Sequence, residues 1–188
     1  MKFNHFLILI LLLGGYFVVN EVNTGRAVFD VEIPWDSGIP FFSFMVIFYI
    51  LLFPLILIPF FIVKKHKKII LQYVIITIIS CLIFLALPSS IIRPDLNDNN
   101  FFDKILGYIY SVDKPYNLFP SLHASLLALV FVFIFKQNKK LSYKLLPLFI
   151  LSFVSTLFIK QHYILDLVAG LLFAFITIKV AEKFEKVI

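Results

Sequence analysis

The sequence reads FPSLHAS at residues 119–125 and, further along the chain, KQHYILD at residues 160–166. Each stretch stands at the start of an apolar segment and brings a histidine to it, and the second stretch also brings an aspartate. Ionisable side chains within membrane segments are costly and rare, and they usually mark a functional site. We therefore expect the chain to be organised around His123, His162 and Asp166.

The composition is that of a membrane protein. Of the 188 residues, 61% are hydrophobic and 15% are charged, and the mean hydropathy is +1.00; globular domains hold about 45–50% apolar and about 25% charged residues. The net charge of +6 is distributed between apolar segments and not gathered on one soluble face, so we expect no nucleic-acid partner. The sequence has one cysteine, Cys81, which excludes an intrachain disulfide and indicates a packing residue.

Six apolar segments predict an all-α fold, an integral membrane six-helix bundle in which residues 1–188 form a single domain. The segments are at about residues 6–19, 41–63, 69–87, 118–135, 143–159 and 162–180. The first is short for a span and could be the apolar core of a signal peptide, but no clean small-x-small cleavage site follows, which favours an uncleaved helix. Either outcome leaves residues 21–40 on the extracytoplasmic side of the membrane. Residues 101–110 predict a short amphipathic helix at the membrane surface.

The basic residues predict the orientation of the chain. With a cytoplasmic amino terminus, twelve basic residues lie inside with two acids, and five lie outside with the other nine acids. This positive-inside bias places both termini in the cytoplasm. The Lys-, Ile-, Asn- and Phe-rich usage suggests a bacterial inner membrane. The inner set is Lys2, Lys64, Lys65, Lys67, Lys68, Lys136, Lys139, Lys140, Lys144, Lys179, Lys183 and Lys186, and the outer set is Arg26, Arg93, Lys104, Lys114 and Lys160.

This orientation brings the polar groups of three separate segments to one side of the membrane. Arg93 follows the third span, His123 lies one turn inside the fourth, and His162 and Asp166 begin the sixth. All four are therefore expected at the extracytoplasmic face. A miscounted span would have put them on opposite faces, where no common site could form.

The histidines and the aspartate have the residue types of an acid–base and nucleophilic site. His162 and Asp166 are four positions apart, which on a helix places them on one face, one turn apart. The carboxylate can accept a hydrogen bond from one ring nitrogen and leave the other nucleophilic. His123 is suited to protonating a leaving alkoxide, because the ordinary pKa of histidine is about 6.5.

The neighbouring residues can bind a phosphate. Pro120 and Ser121 begin a helix well, and the free N–H groups of its first turn can hold a phosphate. Arg93 offers a planar fork of donors. Taken singly, these features are equally typical of an interfacial hydrogen bond, a helix cap and a headgroup anchor. Together, in this order and on one face, they predict phosphoryl transfer at a membrane surface.

Pro120-Ser121-Leu122-His123 and the later His162 with Asp166 resemble the second and third motifs of the PAP2 (type 2 phosphatidic acid phosphatase) superfamily, and Arg93-Pro94 resembles the end of the first. The resemblance covers about residues 91–170, and it implies a catalytic core at about 88–170. It implies cleavage of a phosphate or diphosphate ester without metal or cofactor, through a phosphohistidine on His162 that Asp166 orients, with His123 as the acid. Arg93, Ser121, Leu122 and nearby amides would hold the phosphate.

Three positions depart from the family pattern. Ala86 stands where the first motif has a lysine, Thr156 where the third motif has an arginine, and Leu122 where the second motif usually has a glycine. Loss of two cations weakens the electrostatic stabilisation that phosphoryl transfer needs. Lys160 and Lys114 are the nearest candidates to replace them as phosphate-binding groups, although either could be an ordinary interfacial lysine.

The expected function is that of a membrane phosphatase acting on a lipid-linked phosphate at the extracytoplasmic leaflet. The motifs also resemble the branch that includes inositol phosphorylceramide synthases, so a phosphotransferase that passes a lipid headgroup to an alcohol stays open, as do the lipid and the oligomeric state. Two other classes are open. One is a metallohydrolase with His123, His162, Asp166 and Asp113 as ligands, although no His-Glu-x-x-His pair is present. The other is a membrane protein without catalytic activity.

Overall fold

The computed structural model describes residues 3–62, 67–97 and 99–185, and within these ranges the chain forms helices and no β-strand. This confirms the predicted all-α class. Lys2, Lys64, Lys65, His66 and Lys186 lie outside the described residues. The α-helices are α1 (Phe3–Val22), α2 (Val46–Leu57), α3 (Pro59–Ile62), α4 (Lys67–Ala86), α5 (Phe101–Val112), α6 (Leu122–Gln137), α7 (Lys139–Phe158) and α8 (Ile164–Glu185).

Four segments of the described chain are long and apolar enough to cross a membrane. They are Ser43–Ile62, which combines α2 and α3, and Lys67–Ala86, Lys139–Phe158 and Ile164–Lys183. The fourth predicted span instead gives a shorter apolar helix, Leu122–Gln137. In α1 the apolar stretch is identified over the described side chains Leu7–Val22. Helix α6 is short at its amino-terminal end because Ser121, which follows Pro120, has extended backbone angles and caps the helix with its side chain. Length and composition thus identify a membrane protein with four candidate spans.

Helix α6 lies at the centre of the fold, because it packs against α2, α4, α7 and α8. The largest apolar cluster surrounds it and includes Leu127, Val130 and Ile134 of α6, with Tyr73 of α4 and Phe149 of α7. Between membrane helices such packing stabilises through van der Waals contact, since lipid tails are as apolar as leucine. His123, in the first turn of α6, is therefore carried by the most enclosed helix.

Gly170 allows the starts of α6 and α8 to approach closely. A Cβ atom at Gly170 would lie 2.5 Å from the Ser121 carbonyl oxygen and 2.9 Å from Ala124 Cβ. The Ser125 hydroxyl donates a hydrogen bond across this contact to the Gly170 carbonyl at 3.0 Å. Small residues at a helix crossing let the two backbones meet in this way. The crossing brings the beginning of α6 to the beginning of α8.

Asp36 ties the long segment between α1 and α2 to the start of α8. Its Oδ1 accepts a hydrogen bond from the Ile164 backbone N–H at 2.8 Å, and its Oδ2 accepts one from Ile33 N–H at 2.9 Å. Nearby, Val31 packs in an apolar cluster with Tyr163, the residue before α8. A carboxylate is favourable at this position because helix N-termini present unpaired N–H groups and a positive dipole end.

Hydrogen bonds also tie the end of α1 to the segment that precedes α6. Asn20 Nδ2 donates to the Lys114 carbonyl at 3.1 Å, and Asn20 Oδ1 accepts from the Lys114 N–H at 3.0 Å. Asn23 Nδ2 donates to the Asn117 side chain at 2.8 Å and to the Phe84 carbonyl at 2.9 Å. Both asparagines are buried. The first apolar segment is thus an integral part of the described fold.

Candidate active site

His162 and Asp166 meet at the beginning of α8. Asp166 Oδ2 accepts hydrogen bonds from the Tyr163 backbone N–H at 2.8 Å and from His162 Nδ1 at 3.3 Å. Because α8 begins at Ile164, His162 precedes the helix, and the two side chains do not share a helical face as their spacing predicted. The carboxylate folds back over the first turn instead, like the acid of a capping box. The capping geometry thus places the carboxylate on His162 Nδ1.

His123 contacts His162 directly. The distance from His123 Nδ1 to His162 Nε2 is 3.0 Å, and the ring centroids are 5.2 Å apart. The other ring nitrogen of His123, Nε2, lies 3.2 Å from the Tyr49 hydroxyl of α2. Asp166, His162, His123 and Tyr49 therefore form one continuous chain of hydrogen bonds across α8, α6 and α2.

One placement of protons satisfies this chain when Asp166 is ionised and both rings are neutral. The carboxylate then accepts from His162 Nδ1–H, which makes His162 Nε2 an acceptor. His123 Nδ1–H donates to that atom, and the Tyr49 hydroxyl donates to His123 Nε2. In this arrangement the lone pair of His162 Nε2, the expected nucleophile, is bound to the N–H of the expected acid.

Arg93 lies near this chain but donates to other protein groups. Its Nη1 donates to the carbonyl oxygens of Asp113 at 2.8 Å and Tyr110 at 3.2 Å, and its Nη2 donates to Gln161 Oε1 at 2.7 Å. The guanidinium also lies over the Tyr110 ring, 4.1 Å from its centroid. Burial lowers the pKa of Arg93, and the Asp113 carboxylate opposes that shift. Phosphate binding by Arg93 stays a prediction, with its Nε–H directed to no protein acceptor among the described residues.

Ser121 and Leu122 form the start of α6 beside Asp166. Ser121 Oγ accepts a hydrogen bond from the Ala124 N–H at 3.2 Å, as an N-cap does, and the Ser121 N–H donates to the Asp166 carbonyl at 3.0 Å. Ser121 is fully buried, and Leu122 is the first helical residue. The helix N-terminus predicted to hold phosphate therefore lies against the residue that orients His162.

The two lysines considered as replacement cations are bound elsewhere in this structure. Lys160 Nζ donates to the Ile39 carbonyl at 2.7 Å, and Lys114 Nζ lies 2.6 Å from a carboxylate oxygen of Glu21. Lys160 also has a positive φ of 49°, in the turn between α7 and α8. A phosphate-binding role for Lys160 stays a prediction that requires its ammonium to leave Ile39.

Ala86 and Thr156, at the two positions where the family pattern has cations, have no charged side chain and occupy structural positions at helix ends. Ala86 is the last residue of α4. The buried Thr156 uses its carbonyl oxygen to accept hydrogen bonds from the backbone N–H groups of Gln161 at 2.9 Å and His162 at 3.2 Å. Thr156 thereby fixes the turn that carries the expected nucleophile.

Two residues near the site carried no functional expectation from the sequence. Tyr49 gave no local signal, because a single tyrosine in an apolar span is ordinary; its role follows from α2 packing against α6. Gln161 could have been found from its position directly before His162, in a turn where a buried polar side chain needs a partner.

Asp113 lies near the two rings without joining their hydrogen bonds. Its Oδ1 accepts from the Tyr16 hydroxyl of α1 at 2.8 Å. Burial raises the pKa of the Asp113 carboxyl, against the opposing effects of the Tyr16 hydrogen bond and Arg93. Across residues 3–62, 67–97 and 99–185, no three His, Cys, Asp or Glu side chains converge as metal ligands. The proposed ligand set of Asp113 with His123, His162 and Asp166 is not formed in these ranges.

The structure thus brings together, at the starts of α6 and α8, the two histidines and the aspartate that carry the motif resemblance. The model of the PAP2 superfamily matches residues 41–180. The chain belongs to the PAP2 superfamily, and this membership suggests a phosphatase or phosphotransferase. Comparison with curated proteins and with solved structures gives no significant match. Helix α1 and the segment that holds Asp36 precede the matched residues.

Proposed function

We propose that the chain is an integral membrane enzyme that cleaves the phosphate or diphosphate ester of a lipid through a phosphohistidine on His162. The observation that carries the proposal is the continuous contact of Asp166, His162 and His123, with an aspartate on one nitrogen of the first ring and the second ring on the other. This is the arrangement that an oriented nucleophile and an adjacent proton donor require.

Each half of the proposed reaction balances with these three residues. His162 Nε2 forms a bond to phosphorus while the bond from phosphorus to the ester oxygen breaks. His123, which must take up a second proton when the rings separate, gives a proton to that oxygen and becomes neutral. A water molecule then attacks the phosphorus and gives a proton to His123, and the bond from His162 to phosphorus breaks. Asp166 keeps the His162 ring in one orientation throughout and stabilises its positive charge. An alcohol in place of water would make the same site a phosphotransferase.

The phosphate must enter between the two rings. His123 Nδ1 and His162 Nε2 are in hydrogen-bond contact at 3.0 Å, which leaves no room for phosphorus between them. We propose that the rings separate on binding and that the phosphate oxygens are held by Arg93, by the first amides of α6 after Ser121 and Leu122, and by Lys160.

An apolar cavity supports a lipid-linked substrate. The cavity has a volume of about 460 Å³ and extends from His123 and Tyr49 along α1 and α2. Its remaining walls are mainly leucine, isoleucine, valine and phenylalanine side chains of α1, α2, α5 and α6. Pockets of this size and character suit apolar ligands. We propose that the cavity holds an apolar chain of the substrate while its phosphate reaches His123.

The membrane arrangement is part of the same proposal. We propose a single domain whose α1 and α6 cross the membrane together with the four longer segments, which gives six spans, and whose first segment is retained. Both termini would lie in the cytoplasm, and the catalytic core, at about residues 88–170, would open to the extracytoplasmic leaflet of a bacterial inner membrane. The positive-inside distribution of lysines supports this orientation.

The test is phosphate release by the purified full-length protein against a panel of lipid phosphates, with and without a chelator. We expect His162→Ala, His123→Ala and Asp166→Ala each to lower phosphate release by about 10²- to 10⁴-fold or more. Lys67→Ala, at the exposed start of α4, should leave it unchanged. Near-normal turnover by His162→Ala would refute the mechanism, and abolition by the chelator would favour a metallohydrolase. Adding alcohol acceptors and following the labelled phosphate distinguishes a phosphotransferase.

A further inference from the structure

Unpaired buried polar atoms cluster around the site. Six such side-chain atoms have no hydrogen-bond partner within the described part of the chain: Ser80 Oγ, Arg93 Nε, Asp103 Oδ1, Ser152 Oγ, Gln161 Nε2 and Asp166 Oδ1. Buried polar groups are nearly always paired, so each exception needs an explanation. Three of the six belong to Asp166 and to the hydrogen-bonded pair of Arg93 and Gln161. Two of these three, Arg93 Nε and Gln161 Nε2, are N–H donors.

The orientation of the Gln161 amide is determined by Arg93. Because arginine has donors and no acceptor, the amide oxygen must be the atom that faces Arg93 Nη2 at 2.7 Å. The amide nitrogen therefore points away from that contact, although Gln161 is only 3% exposed. Arg93 has in turn committed Nη1 to two carbonyl oxygens, which leaves Nε as its unpaired donor.

The position of Gln161 is as fixed as that of the expected nucleophile. Gln161 directly precedes His162, and the backbone N–H groups of both residues donate to the Thr156 carbonyl oxygen. A side chain held by this turn moves with His162. The third unpaired atom, Asp166 Oδ1, is an acceptor and does not qualify as a phosphate ligand.

We propose that Gln161 is a phosphate-binding residue, whose side-chain N–H group and Arg93 Nε–H donate to oxygens of the phosphate that His162 attacks. The inference rests on the proposed function and adds to it a neutral ligand that no charge pattern reveals. Gln161 would supply hydrogen bonds next to a site that lacks the cations expected at Ala86 and Thr156. Amide donors fixed before the reaction stabilise charge on a phosphoryl group without a net charge of their own.

The competing explanation is that Gln161 only holds Arg93 in place, and two substitutions separate the roles. Gln161→Glu keeps an oxygen for Arg93 Nη2 but removes the N–H donor and adds a negative charge. Gln161→Lys provides an N–H donor but removes the oxygen that Arg93 needs. A phosphate ligand predicts that the lysine variant binds a phosphate analogue more tightly than the glutamate variant at both low and high salt. A purely structural residue predicts that this order comes only from the added charges and disappears as salt screens them.

Orthovanadate is the probe, and binding is measured by its effect on the thermal unfolding temperature of the purified full-length protein, since a ligand that binds the folded state stabilises it. We expect the dissociation constant for vanadate to rise about 10- to 100-fold in Gln161→Glu, the size of a lost hydrogen bond to a charged group, and less in Gln161→Lys. Gln137→Glu, at the exposed end of α6, is the matched control and should bind like the unmodified protein.

The outcomes are separable from those of the proposed function. Tighter vanadate binding by Gln161→Glu than by Gln161→Lys, or unchanged binding by Gln161→Glu, overturns the inference. If Gln161→Glu does not fold, Gln161→Lys decides alone: retained vanadate binding supports the donor role, and lost binding overturns it. Phosphate release from lipid phosphates is measured in parallel. An unmodified protein that binds vanadate yet releases no phosphate would contradict the proposed enzyme activity. The role of Gln161 would then still be tested by comparing vanadate binding in the two Gln161 variants.

Discussion

The two histidines of the site are held in different ways. His162 is 5% exposed, its backbone N–H donates to Thr156, and its ring is bound to Asp166. His123 lies on a regular helix, and its ring is hydrogen-bonded to two other side chains, Tyr49 and His162. Its ring also borders the apolar cavity. The ring of His162, the proposed nucleophile, is thus fixed through the backbone, whereas the ring of His123, the proposed acid, is held by side-chain contacts.

This difference shows where the site can open. In the proposed reaction, phosphate has to come between two nitrogen atoms that are 3.0 Å apart, so one ring must turn. Turning His162 would break its bond to Asp166 inside a buried turn, which leaves a buried carboxylate with one donor fewer. Turning His123 breaks side-chain contacts next to a cavity. We therefore expect His123 to move, and three substitutions test this contrast.

The largest effect is expected from Asp166→Asn, which changes the carboxylate that holds the His162 ring. The amide oxygen can still accept from the Tyr163 N–H, so the start of α8 should remain folded. The amide cannot stabilise a charged His162 ring and does not fix its tautomer, and the loss in such a change is about 10⁴-fold. Single-turnover phosphate release measures it. An Asp166→Asn variant with a rate within tenfold of the unmodified protein would show that the carboxylate does not orient the nucleophile.

Gly170→Ala changes the close contact between α6, which carries His123, and α8, whose start follows His162. The new Cβ would lie 2.5 Å from the Ser121 carbonyl oxygen, so the starts of α6 and α8 must move apart. Overpacking of this kind costs about 1–3 kcal/mol in the free energy of unfolding. Displacing reacting groups by about 1 Å can lower a rate about 10²-fold. Chemical denaturation and phosphate release measure the two effects.

The matched control for Gly170 is Gly14→Ala in α1. A Cβ at Gly14 would meet no atom within 4 Å. Its alanine should therefore leave activity unchanged and increase helix stability by less than about 1 kcal/mol. Equal behaviour of the two alanine variants would mean that the close crossing of α6 and α8 does not set the distance between the rings.

The sequence predicted much of this site but for partly different structural reasons. The positions of His123, His162 and Asp166 at helix starts followed from the apolar segments and the charge bias, because both depend on local composition. The pairing of His162 with Asp166 was predicted from helical spacing, yet α8 begins at Ile164 and the pairing comes from a helix cap. The start of an α-helix depends on competing caps, which spacing alone does not resolve.

Contacts between distant segments could not be predicted in the same way. Tyr49 reaches His123 because α2 packs against α6, and Asp36 reaches Ile164 across most of the chain. Arg93 was predicted to present its fork to phosphate, whereas its Nη1 is used by carbonyl oxygens at the end of α5. These partners are set by tertiary packing, which leaves no periodic signal in the sequence.

The smallest effect is expected from Tyr49→Phe, which removes a hydrogen bond to His123, the ring that we expect to move. The phenyl ring keeps the packing of the buried Tyr49 side chain, and the hydroxyl that donates to His123 Nε2 is lost. The contact with His162 alone then holds the His123 proton on Nδ1, so the form with the proton on Nε2 becomes more populated. We expect phosphate release to fall about 10-fold, the size of one hydrogen bond of about 1–1.5 kcal/mol. Nitrogen-15 NMR of the histidine rings should show the change of tautomer, which packing alone would not cause.

Tyr143→Phe, on an exposed side chain, is the control. If Tyr49→Phe left both the rate and the His123 ring signals unchanged, the Tyr49 hydroxyl would not position His123. The contrast between the backbone-fixed His162 ring and the side-chain-held His123 ring would then depend on the contact with His162 alone.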